Sequence, residues 1–438
     1  MSRMAHEHMA PQIEVHPAKT LIDEPITIRL LGFKANHPVT LHVRMGQSWS
    51  SYATFLTDAQ GGVNIGSQPP LTGTYDRADP MGLVWSMALP PDMEFQPAAM
   101  PVLSPHAVLV VHLEAEVDGV PVASVQVERQ LVAPDVTRQE IRQDGLVATL
   151  FRPPGAGSHP TVIVVSSSDG GIPEPQAALF ASHGFTALAL AYFGISPFPP
   201  TLGEIPLEYF GMALQWLRKQ EGVNPQALAV TGASKSGELA LLFGATFPQI
   251  RAVVAYAPSG VLWQGQPILG TQPTEPRAAW TLEGKSLPFL RYPTPPLDRN
   301  SPHPTTAASI LSALQDKEAV ERATIPVERT NGPILLITGQ EDALWPAELA
   351  AIAVRRLNTQ QFSFPVEHLS YPSAGHLIFF PPYGPTMIRS LRHPVLKRTI
   401  HYGGTTAGDA FARADSWPKV LMFLRRSLVH EGDNDEPE

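Results

Sequence analysis

The sequence contains no cysteine among its 438 residues. This absence excludes disulfide bonds, thiolate metal sites and a cysteine nucleophile. It does not indicate a compartment, because reducing and oxidising compartments both tolerate chains without cysteine. Any nucleophilic chemistry in this protein must therefore use another type of side chain.

Long apolar runs are absent as well. No uninterrupted apolar stretch reaches the roughly 20 residues that a transmembrane helix needs. Residues 1–8 lack the apolar core of a secretory signal peptide. We therefore expect no membrane span and a cytoplasmic location.

Positive charge is in the minority. The chain has 31 Lys and Arg against 40 Asp and Glu, which gives a net charge of −9 at pH 7. This balance argues against non-specific binding to nucleic acid. The remaining composition, 43% hydrophobic and 16% charged, is that of a globular protein, and the length allows two domains. Residues 431–438 are predicted to form an acidic tail, which contains Glu431, Asp433, Asp435, Glu436 and Glu438.

Residues 10–134 contain short apolar runs separated by turn residues. Ile26-Thr-Ile-Arg-Leu and Val39-Thr-Leu-His-Val are two of these runs. Strands at such spacing predict an all-β domain in which antiparallel sheets form a sandwich. Pro134-Asp135 marks the predicted boundary to a second domain.

Residues 135–430 follow a different pattern. Near-continuous apolar strands, such as 161–165 and 334–338, alternate with helical segments. This alternation predicts a doubly wound, mainly parallel sheet with helices on both faces.

One segment, residues 259–328, interrupts this alternation. It is rich in proline and contains Trp263, Trp280 and Phe289. A segment of this length between core strands is typical of a lid or a binding insertion. We expect it to form part of the substrate entrance, because ligand clefts are mostly apolar.

A serine lies at a strand-to-helix turn in this region. The apolar run 227–231 ends before Gly232, Ser234 follows two residues later, and a largely apolar helix begins directly after it. Such a nucleophile elbow lifts one hydroxyl above the sheet and needs small residues two positions before and after the nucleophile. Gly232 and Ser236 meet this need, although serine replaces the usual glycine at the second position. Taken alone, the motif fits an ordinary Gly-Ala-Ser turn equally well.

A serine nucleophile requires a base, and the base requires an acid that orients it. In an α/β-hydrolase the acid and then the histidine follow the serine, each just after a late strand. Asp342 follows the strand 334–338, with Glu341 as the alternative acid, and His376 follows the run that begins at Val366. Loop carboxylates and surface histidines are each common, but three residue types in the required order and places favour a catalytic triad.

The oxyanion hole for this serine should combine the backbone N–H of Lys235 with one N–H from the loop after the first parallel strand. Residues 166–171, Ser-Ser-Ser-Asp-Gly-Gly, form that loop, and Asp169 and Gly170 are the candidate donors. The serines at 166–168 are rival nucleophiles in residue type only, because they do not lie in an elbow.

Several motifs resemble the acyl-CoA thioesterase / bile acid-CoA:amino acid N-acyltransferase family across roughly residues 10–428. The resemblance implies an immunoglobulin-like domain before an α/β-hydrolase domain, with Ser234, Asp342 and His376 as the triad. The loop 166–171 is less glycine-rich than the family's usual version. The motifs are Asp79-Pro-Met-Gly-Leu-Val-Trp-Ser-Met, Ala189-Leu-Ala-Tyr-Phe, Leu207-Glu-Tyr-Phe, Gly232-Ala-Ser-Lys, Ile325-Pro-Val-Glu, Gly339-Gln-Glu-Asp-Ala-Leu-Trp, Tyr371-Pro-Ser-Ala-Gly-His and Tyr402-Gly-Gly-Thr.

The resemblance implies a serine hydrolase that cleaves acyl-CoA thioesters to free acid and CoA through an acyl-Ser234 intermediate. The expected partner is a small acyl-CoA or ester substrate, and neither a cofactor nor a metal is expected. The alternatives are an acyl-CoA:amino acid N-acyltransferase or a carboxylesterase on the same triad, and an inactive hydrolase fold that serves as a binding protein. The oligomeric state is not indicated.

Coenzyme A is a polyanion, so a CoA enzyme needs a local basic patch. Each candidate cation could equally be an ordinary solvated charge. The candidates lie in the insertion and near the C-terminus: Lys285, Arg291, Arg299, Arg389, Arg392, Lys397 and Arg398.

Overall fold

A computed structural model describes residues 9–46, 48–90, 107–266, 275–292, 306–392 and 399–428 of this chain. The described residues form two compact units. The first contains the described residues up to Leu131 together with Pro381–Ile388, and the second contains those between Val132 and Phe380 and those from Arg389 onward. No pattern in the sequence indicated that Pro381–Ile388 groups with the first unit. Within that unit, the Thr386 N–H donates a hydrogen bond of 3.0 Å to the Trp85 carbonyl.

In the part of the first unit that the structure describes, the regular elements are strands apart from one helical turn, α1 (Gly82–Trp85). Its strands are β1 (Gln12–His16), β2 (Lys19–Leu21), β3 (Thr27–Leu31), β4 (Pro38–Met45), β5 (Trp49–Leu56), β6 (Val63–Asn64), β7 (Thr72–Gly73), β8 (Val108–Val117) and β9 (Val120–Gln130). They form two sheets, in the orders β1-β3-β6 and β2-β9-β8-β4-β5-β7. In β4, alternate residues from Val39 to Met45 are buried, which is the period-two pattern of a strand with one buried face.

The second unit contains a mixed sheet of eight strands, in the order β10-β11-β13-β12-β15-β16-β19-β20, and two small sheets. Strand β11 is antiparallel to its neighbours β10 and β13, and every other pair in the large sheet is parallel. The strands of this unit are β10 (Thr137–Gln143), β11 (Leu146–Arg152), β12 (His159–Val165), β13 (Thr186–Leu190), β14 (Ile205–Pro206), β15 (Val223–Ala233), β16 (Ile250–Tyr256), β17 (Trp280–Leu282), β18 (Lys285–Ser286), β19 (Ile334–Gly339), β20 (Val366–Tyr371), β21 (Ser390–Arg392) and β22 (Thr399–His401).

Helices cover both faces of the large sheet. In β12, Val162 and Val164 belong to one buried cluster with α2 and α8, whereas Ile163 and Val165 belong to another with α3, α4 and α7. Because both faces are buried, the strand is apolar at every position from Val162 to Val165, and the predicted parallel sheet is confirmed. No helix in the described part of the chain combines the length and the apolar composition needed to span a bilayer. The helices are α2 (Glu174–Ser182), α3 (Leu207–Leu217), α4 (Lys235–Thr246), α5 (Thr306–Ala313), α6 (Lys317–Ala323), α7 (Glu348–Thr359) and α8 (Thr406–Leu428).

The described parts of the insertion 259–328 contain more regular structure than its sequence suggested. The hairpin of β17 and β18 lies in it, as do α5 and α6. The proline content masked these elements, because they are short and separated by turns. A buried cluster that includes Trp263 and Ile310 joins the insertion to Trp345, beyond β19. Residues 267–274 and 293–305 of the insertion lie outside the described residues.

An ion pair ties the 3₁₀ turn Val327–Arg329 to α7. The Arg356 guanidinium donates two hydrogen bonds, of 2.6 and 2.8 Å, to the Glu328 carboxylate. These hydrogen bonds hold the pKa of Glu328 below its ordinary value of 4.5. The pair therefore stabilises the fold fully above about pH 4.5, and this contribution is lost as the pH falls through the folded-state pKa of Glu328.

We expect Glu328→Gln to lower the free energy of unfolding at pH 7 by about 1 kcal/mol, since the pair is partly exposed. The difference between the wild-type and variant proteins should shrink as the pH falls from about 4.5 through the lower folded-state pKa of Glu328, where the native carboxyl becomes protonated. Urea unfolding at pH 7 and at several acidic pH values measures both quantities. A difference that stays constant or grows on acidification would contradict this role for the pair.

Candidate active site

Ser234 lies at a sharp turn between β15 and α4. Its φ of +59° and ψ of −121° lie in a region that non-glycine residues rarely adopt. The Ser234 N–H donates to the Tyr256 carbonyl at 2.9 Å, which ties the turn to the end of the neighbouring strand. The hydroxyl does not cap its own helix, so it is free of the local hydrogen bond that most serines at this position make.

Two small residues allow this turn. A Cβ on Gly232 would lie 2.1 Å from the Ser236 carbonyl oxygen, so no side chain fits there. Ser236, the predicted departure from the usual glycine, uses its hydroxyl to close the turn: Oγ accepts from the Ala233 N–H and donates to the Ala233 carbonyl, both at 2.9 Å. Serine at this position therefore stabilises the elbow.

A buried acid–base pair follows strands β19 and β20. His376 Nδ1 lies 2.7 Å from Asp342 Oδ2, and both side chains are almost completely buried. The other oxygen, Oδ1, accepts hydrogen bonds from the N–H groups of Leu344 at 2.8 Å and Trp345 at 2.7 Å. Because an ionised carboxylate only accepts, Nδ1 carries the proton and Nε2 is left as the basic nitrogen. The alternative acid, Glu341, is exposed.

The serine elbow and the acid–base pair lie at the same edge of the sheet. Strands β15, β19 and β20 run parallel, and Ser234, Asp342 and His376 each follow the carboxyl end of one of them. Ser234 and His376 do not form a hydrogen bond in this structure, whereas Asp342 and His376 do. Catalytic hydrogen bonds are often long in ligand-free sites and tighten when substrate binds.

The loop after β12 lies next to the elbow. Ser167 Oγ donates a hydrogen bond of 3.2 Å to the Ala233 carbonyl. The Gly170 N–H donates to the Ser167 carbonyl at 3.1 Å, and the Asp169 N–H hydrogen-bonds to the carboxylate of its own side chain, so both predicted donors have an acceptor within the loop. Lys235, the other candidate, begins α4, where N–H groups have no acceptor within the helix. The rival Ser166 directly follows β12 and does not lie in a strand-to-helix turn.

Comparison with known proteins identifies the family. The model described as BAAT / Acyl-CoA thioester hydrolase C terminal matches residues 205–430, and the model described as Acyl-CoA thioester hydrolase/BAAT N-terminal region matches residues 23–143. The chain belongs to this family. It is 30% identical to the peroxisomal succinyl-coenzyme A thioesterase of Mus musculus, over 96% of this chain and 97% of that protein.

Other relatives of this acyl-CoA thioester hydrolase/BAAT family member carry two kinds of name. Acyl-coenzyme A thioesterase 6 of Mus musculus is 31% identical over 97% of this chain and 98% of that protein. Acyl-coenzyme A amino acid N-acyltransferase 1 of Mus musculus is 30% identical over 95% of this chain and 97% of that protein. Family membership therefore leaves hydrolysis and acyl transfer to be distinguished.

Residues near the C-terminal end of the described chain hold the histidine loop of this family member. Asp409 Oδ1 accepts the Gly375 N–H at 2.7 Å, and the His376 N–H donates to the Tyr402 carbonyl at 2.9 Å. The Tyr402 ring is stacked on the His376 ring, with centroids 5.9 Å apart and planes 9° apart. Sequence reasoning missed Asp409 entirely. Its only signal was an acidic residue in the first turn of α8, which is common at helix N-termini.

The side chains of three candidates for the predicted CoA patch, Lys285, Arg291 and Arg389, lie in the described residues. Arg389 donates to Asp409 at 2.6 Å and to the Gly403 carbonyl at 2.9 Å, so it supports the histidine loop. Lys285 and Arg291 are exposed. The other candidates, Arg299, Lys397, Arg398 and the side chain of Arg392, lie outside the described residues.

A groove of about 820 Å³ lies between α5, α6 and α7. None of Ser234, Asp342 and His376 lines it, and its lining includes both cations and carboxylates, among them Arg355 and Glu348. It is therefore neither the active site nor a basic patch. Among the described residues, no three His, Asp or Glu side chains cluster as metal ligands would.

Proposed function

We propose that this chain is a serine hydrolase that cleaves acyl-CoA thioesters to free acid and CoA. The observation that carries the proposal is the buried Asp342–His376 pair at the sheet edge from which the Ser234 elbow rises. Family membership supports the substrate class, because relatives are named acyl-coenzyme A and succinyl-coenzyme A thioesterases. Ser234 is then the nucleophile, His376 the base and Asp342 the group that orients it.

The first half of the proposed reaction forms an acyl-enzyme. Ser234 Oγ attacks the thioester carbonyl carbon while His376 Nε2 accepts the hydroxyl proton, and Asp342 stabilises the imidazolium that results. The Lys235 N–H, together with the N–H of Asp169 or Gly170, would donate to the oxyanion of the tetrahedral intermediate. Its collapse breaks the carbon–sulfur bond, Nε2 returns the proton to sulfur, and CoA leaves as the thiol.

The second half clears the acyl group with water. His376 Nε2 takes a proton from water, whose oxygen attacks the ester carbonyl of acyl-Ser234. Collapse of the second tetrahedral intermediate breaks the bond to Ser234 Oγ, which recovers the proton from Nε2. The free acid is then released, and the enzyme returns to its starting state.

Acyl transfer to an amine is the second candidate, and the N-acyltransferase among the relatives favours it. The chemistry of the nucleophile argues for hydrolysis instead. A cysteine would form a thioester that remains reactive towards amines, whereas Ser234 forms an oxyester that is less prone to aminolysis. Because the chain has no cysteine, the transfer route lacks its preferred intermediate.

We expect an acyl-CoA supplied with excess glycine or taurine to yield mainly free acid and CoA. Chromatography with mass-spectrometric detection measures the ratio of free acid to N-acyl amino acid. A parallel incubation with Ser234→Ala protein corrects for aminolysis without the enzyme. If N-acyl amino acid is the majority product, the protein is a transferase.

A carboxylesterase would use the same triad on simple esters. A panel of acyl-CoA thioesters and simple esters with matched acyl chains separates the two substrate classes through the ratio of their kcat/KM values. Higher kcat/KM on the thioesters is the expected result, and higher kcat/KM on the simple esters would replace the proposal.

The architecture supports finer proposals about the two units. We propose that the first is an immunoglobulin-like sandwich and that residues 135–430 form the catalytic domain with the insertion 259–328 at its entrance. Trp263 and Trp280, which belong to the insertion, pack against the first turn of α4 next to Ser234. The cytoplasmic location stays a prediction, since relatives are named peroxisomal and mitochondrial.

A further inference from the structure

The residue after the nucleophile is a buried lysine. Lys235 has a side chain that is 5% exposed, and its partner Glu238, three residues later in the first turn of α4, is fully buried. The Lys235 ammonium donates to Glu238 Oε1 at 2.7 Å, to Glu238 Oε2 at 3.0 Å and to the Trp263 carbonyl at 2.7 Å. All three of its protons are therefore used.

Each oxygen of the Glu238 carboxylate accepts two hydrogen bonds. Besides the lysine, Oε1 accepts the Trp280 indole N–H at 2.8 Å, and Oε2 accepts the Trp263 backbone N–H at 3.2 Å. The Trp263 backbone is thus held on both sides, its N–H by the carboxylate and its carbonyl by the ammonium. Trp263 and Trp280 are themselves buried, so the network is closed to water.

Stability alone does not account for this pair. Burial lowers the pKa of Lys235 and raises the pKa of Glu238, so desolvation opposes both charges. Buried ion pairs of this kind can often be replaced by apolar residues without loss of stability. A fully satisfied polar network does, however, fix its members in one arrangement.

The Lys235–Glu238 network lies in the first turn of α4, directly after the Ser234 elbow. The first N–H groups of a helix have no acceptor within the helix, and among residues 235–238 only the Glu238 N–H reaches back, to the Ser234 carbonyl at 3.1 Å. Ser234 itself has a strained φ of +59°. The side-chain pair spans the same turn, from the residue that carries the candidate oxyanion N–H to the residue three positions later.

We propose that Glu238 is a positioning residue that acts through Lys235. Glu238 fixes the orientation of the Ser234–Lys235 peptide so that the Lys235 N–H points at the developing oxyanion. Through its hydrogen bonds to Trp263 and Trp280, Glu238 also fixes the position of this peptide relative to the insertion. The inference rests on the proposed serine chemistry of Ser234. It adds a residue that touches neither substrate nor the triad.

Glu238→Gln tests the positioning role. The amide keeps the shape of the side chain but directs an N–H₂ group at a donor, which breaks the pairing with Lys235. We expect kcat for acyl-CoA to fall about 100-fold, as when one oxyanion donor is lost, with KM changed less than about threefold. The pH dependence of kcat/KM should keep its shape, because Asp342 and His376 are not altered.

A fluorophosphonate probe provides a readout that does not depend on CoA. Its phosphoryl oxygen occupies the oxyanion position, so labelling of Ser234 should slow by a similar factor in Glu238→Gln. If wild-type protein is labelled but does not hydrolyse acyl-CoA, slower labelling of the variant still supports the positioning role of Glu238. Only the proposed substrate class is then refuted. Wild-type protein that the probe does not label overturns both proposals.

Lys235→Met with Glu238→Leu separates positioning from simple charge neutralisation. The double variant removes both charges together, so its melting temperature should lie close to that of the wild-type protein. Its kcat per probe-titrated site should nevertheless remain at least tenfold reduced, because the Trp263 and Trp280 contacts are lost. Wild-type kcat in the double variant, or in Glu238→Gln, would overturn the proposal.

Glu318→Gln is the matched control. Glu318 lies in the first turn of α6 and forms an exposed ion pair with Arg322 at 3.8 Å. The same substitution there should leave kcat, KM and the labelling rate unchanged. A loss of activity in this control as large as that in Glu238→Gln would also overturn the proposal.

Discussion

Ser234→Ala is expected to reduce acyl-CoA hydrolysis by on the order of 10⁴-fold or more, because the members of a triad act as a unit. The hydroxyl is the only part of the side chain that is removed, and it makes no cap to α4. The fold should therefore be unchanged. His376→Ala should cause a loss of similar size, since the base that accepts the serine proton is then missing.

Turnover of an acyl-CoA, followed by release of the free thiol, measures this loss. Mass spectrometry of the fluorophosphonate-labelled protein should place the adduct on Ser234, and Ser234→Ala should not be labelled. Ser312→Ala, an exposed position in α5, is the matched control and should retain full activity. A folded Ser234→Ala protein that remains active without contaminating esterase would refute the assignment. Wild-type protein that stays unlabelled would favour the inactive binding protein.

Asp342→Asn is expected to lower kcat by on the order of 10⁴-fold while the protein stays folded. The amide oxygen can keep the hydrogen bonds that Oδ1 accepts from the N–H groups of Leu344 and Trp345. The N–H₂ group then faces His376 Nδ1, which must become an acceptor. The ring proton moves to Nε2, and the nitrogen that should take the Ser234 proton is occupied.

Steady-state kinetics at neutral pH test this tautomer mechanism, with kcat and KM determined separately. KM should change little, because the substrate does not contact Asp342 in the proposed reaction. Glu341→Gln is the matched control, since it makes the same carboxylate-to-amide change at the adjacent, exposed position. If Asp342→Asn keeps normal kcat, or if Glu341→Gln loses as much, then Asp342 is not the orienting acid.

The sequence alone determined the class of fold in the second unit. Continuous apolar strands such as β12 indicated burial on both faces, and the structure has helices there. It also determined the order of Ser234, Asp342 and His376 along the chain. These features are local or periodic, so they can be read without knowing which distant residues meet.

Tertiary structure decided the choice between neighbouring residues. Asp342 and Glu341 are adjacent carboxylates after the same strand, and only the path of the loop directs Asp342 towards His376. Likewise, a serine at position 236 departs from the usual elbow, and only the bent turn brings its hydroxyl onto the Ala233 backbone.

Tertiary structure also decided which residues support the site. Lys235 and Glu238 are three residues apart, so their pairing in a helix could be anticipated, but Trp263 and Trp280 lie 25 and 42 residues beyond Glu238. Arg389 was a candidate for CoA until the fold brought it to Asp409. Hydrogen bonds between segments that are distant in sequence produce no periodic sequence pattern, because each depends on how the two segments pack in the folded chain. The sequence therefore predicted the reacting groups, and the packing of the sheet and its loops determined what holds these side chains.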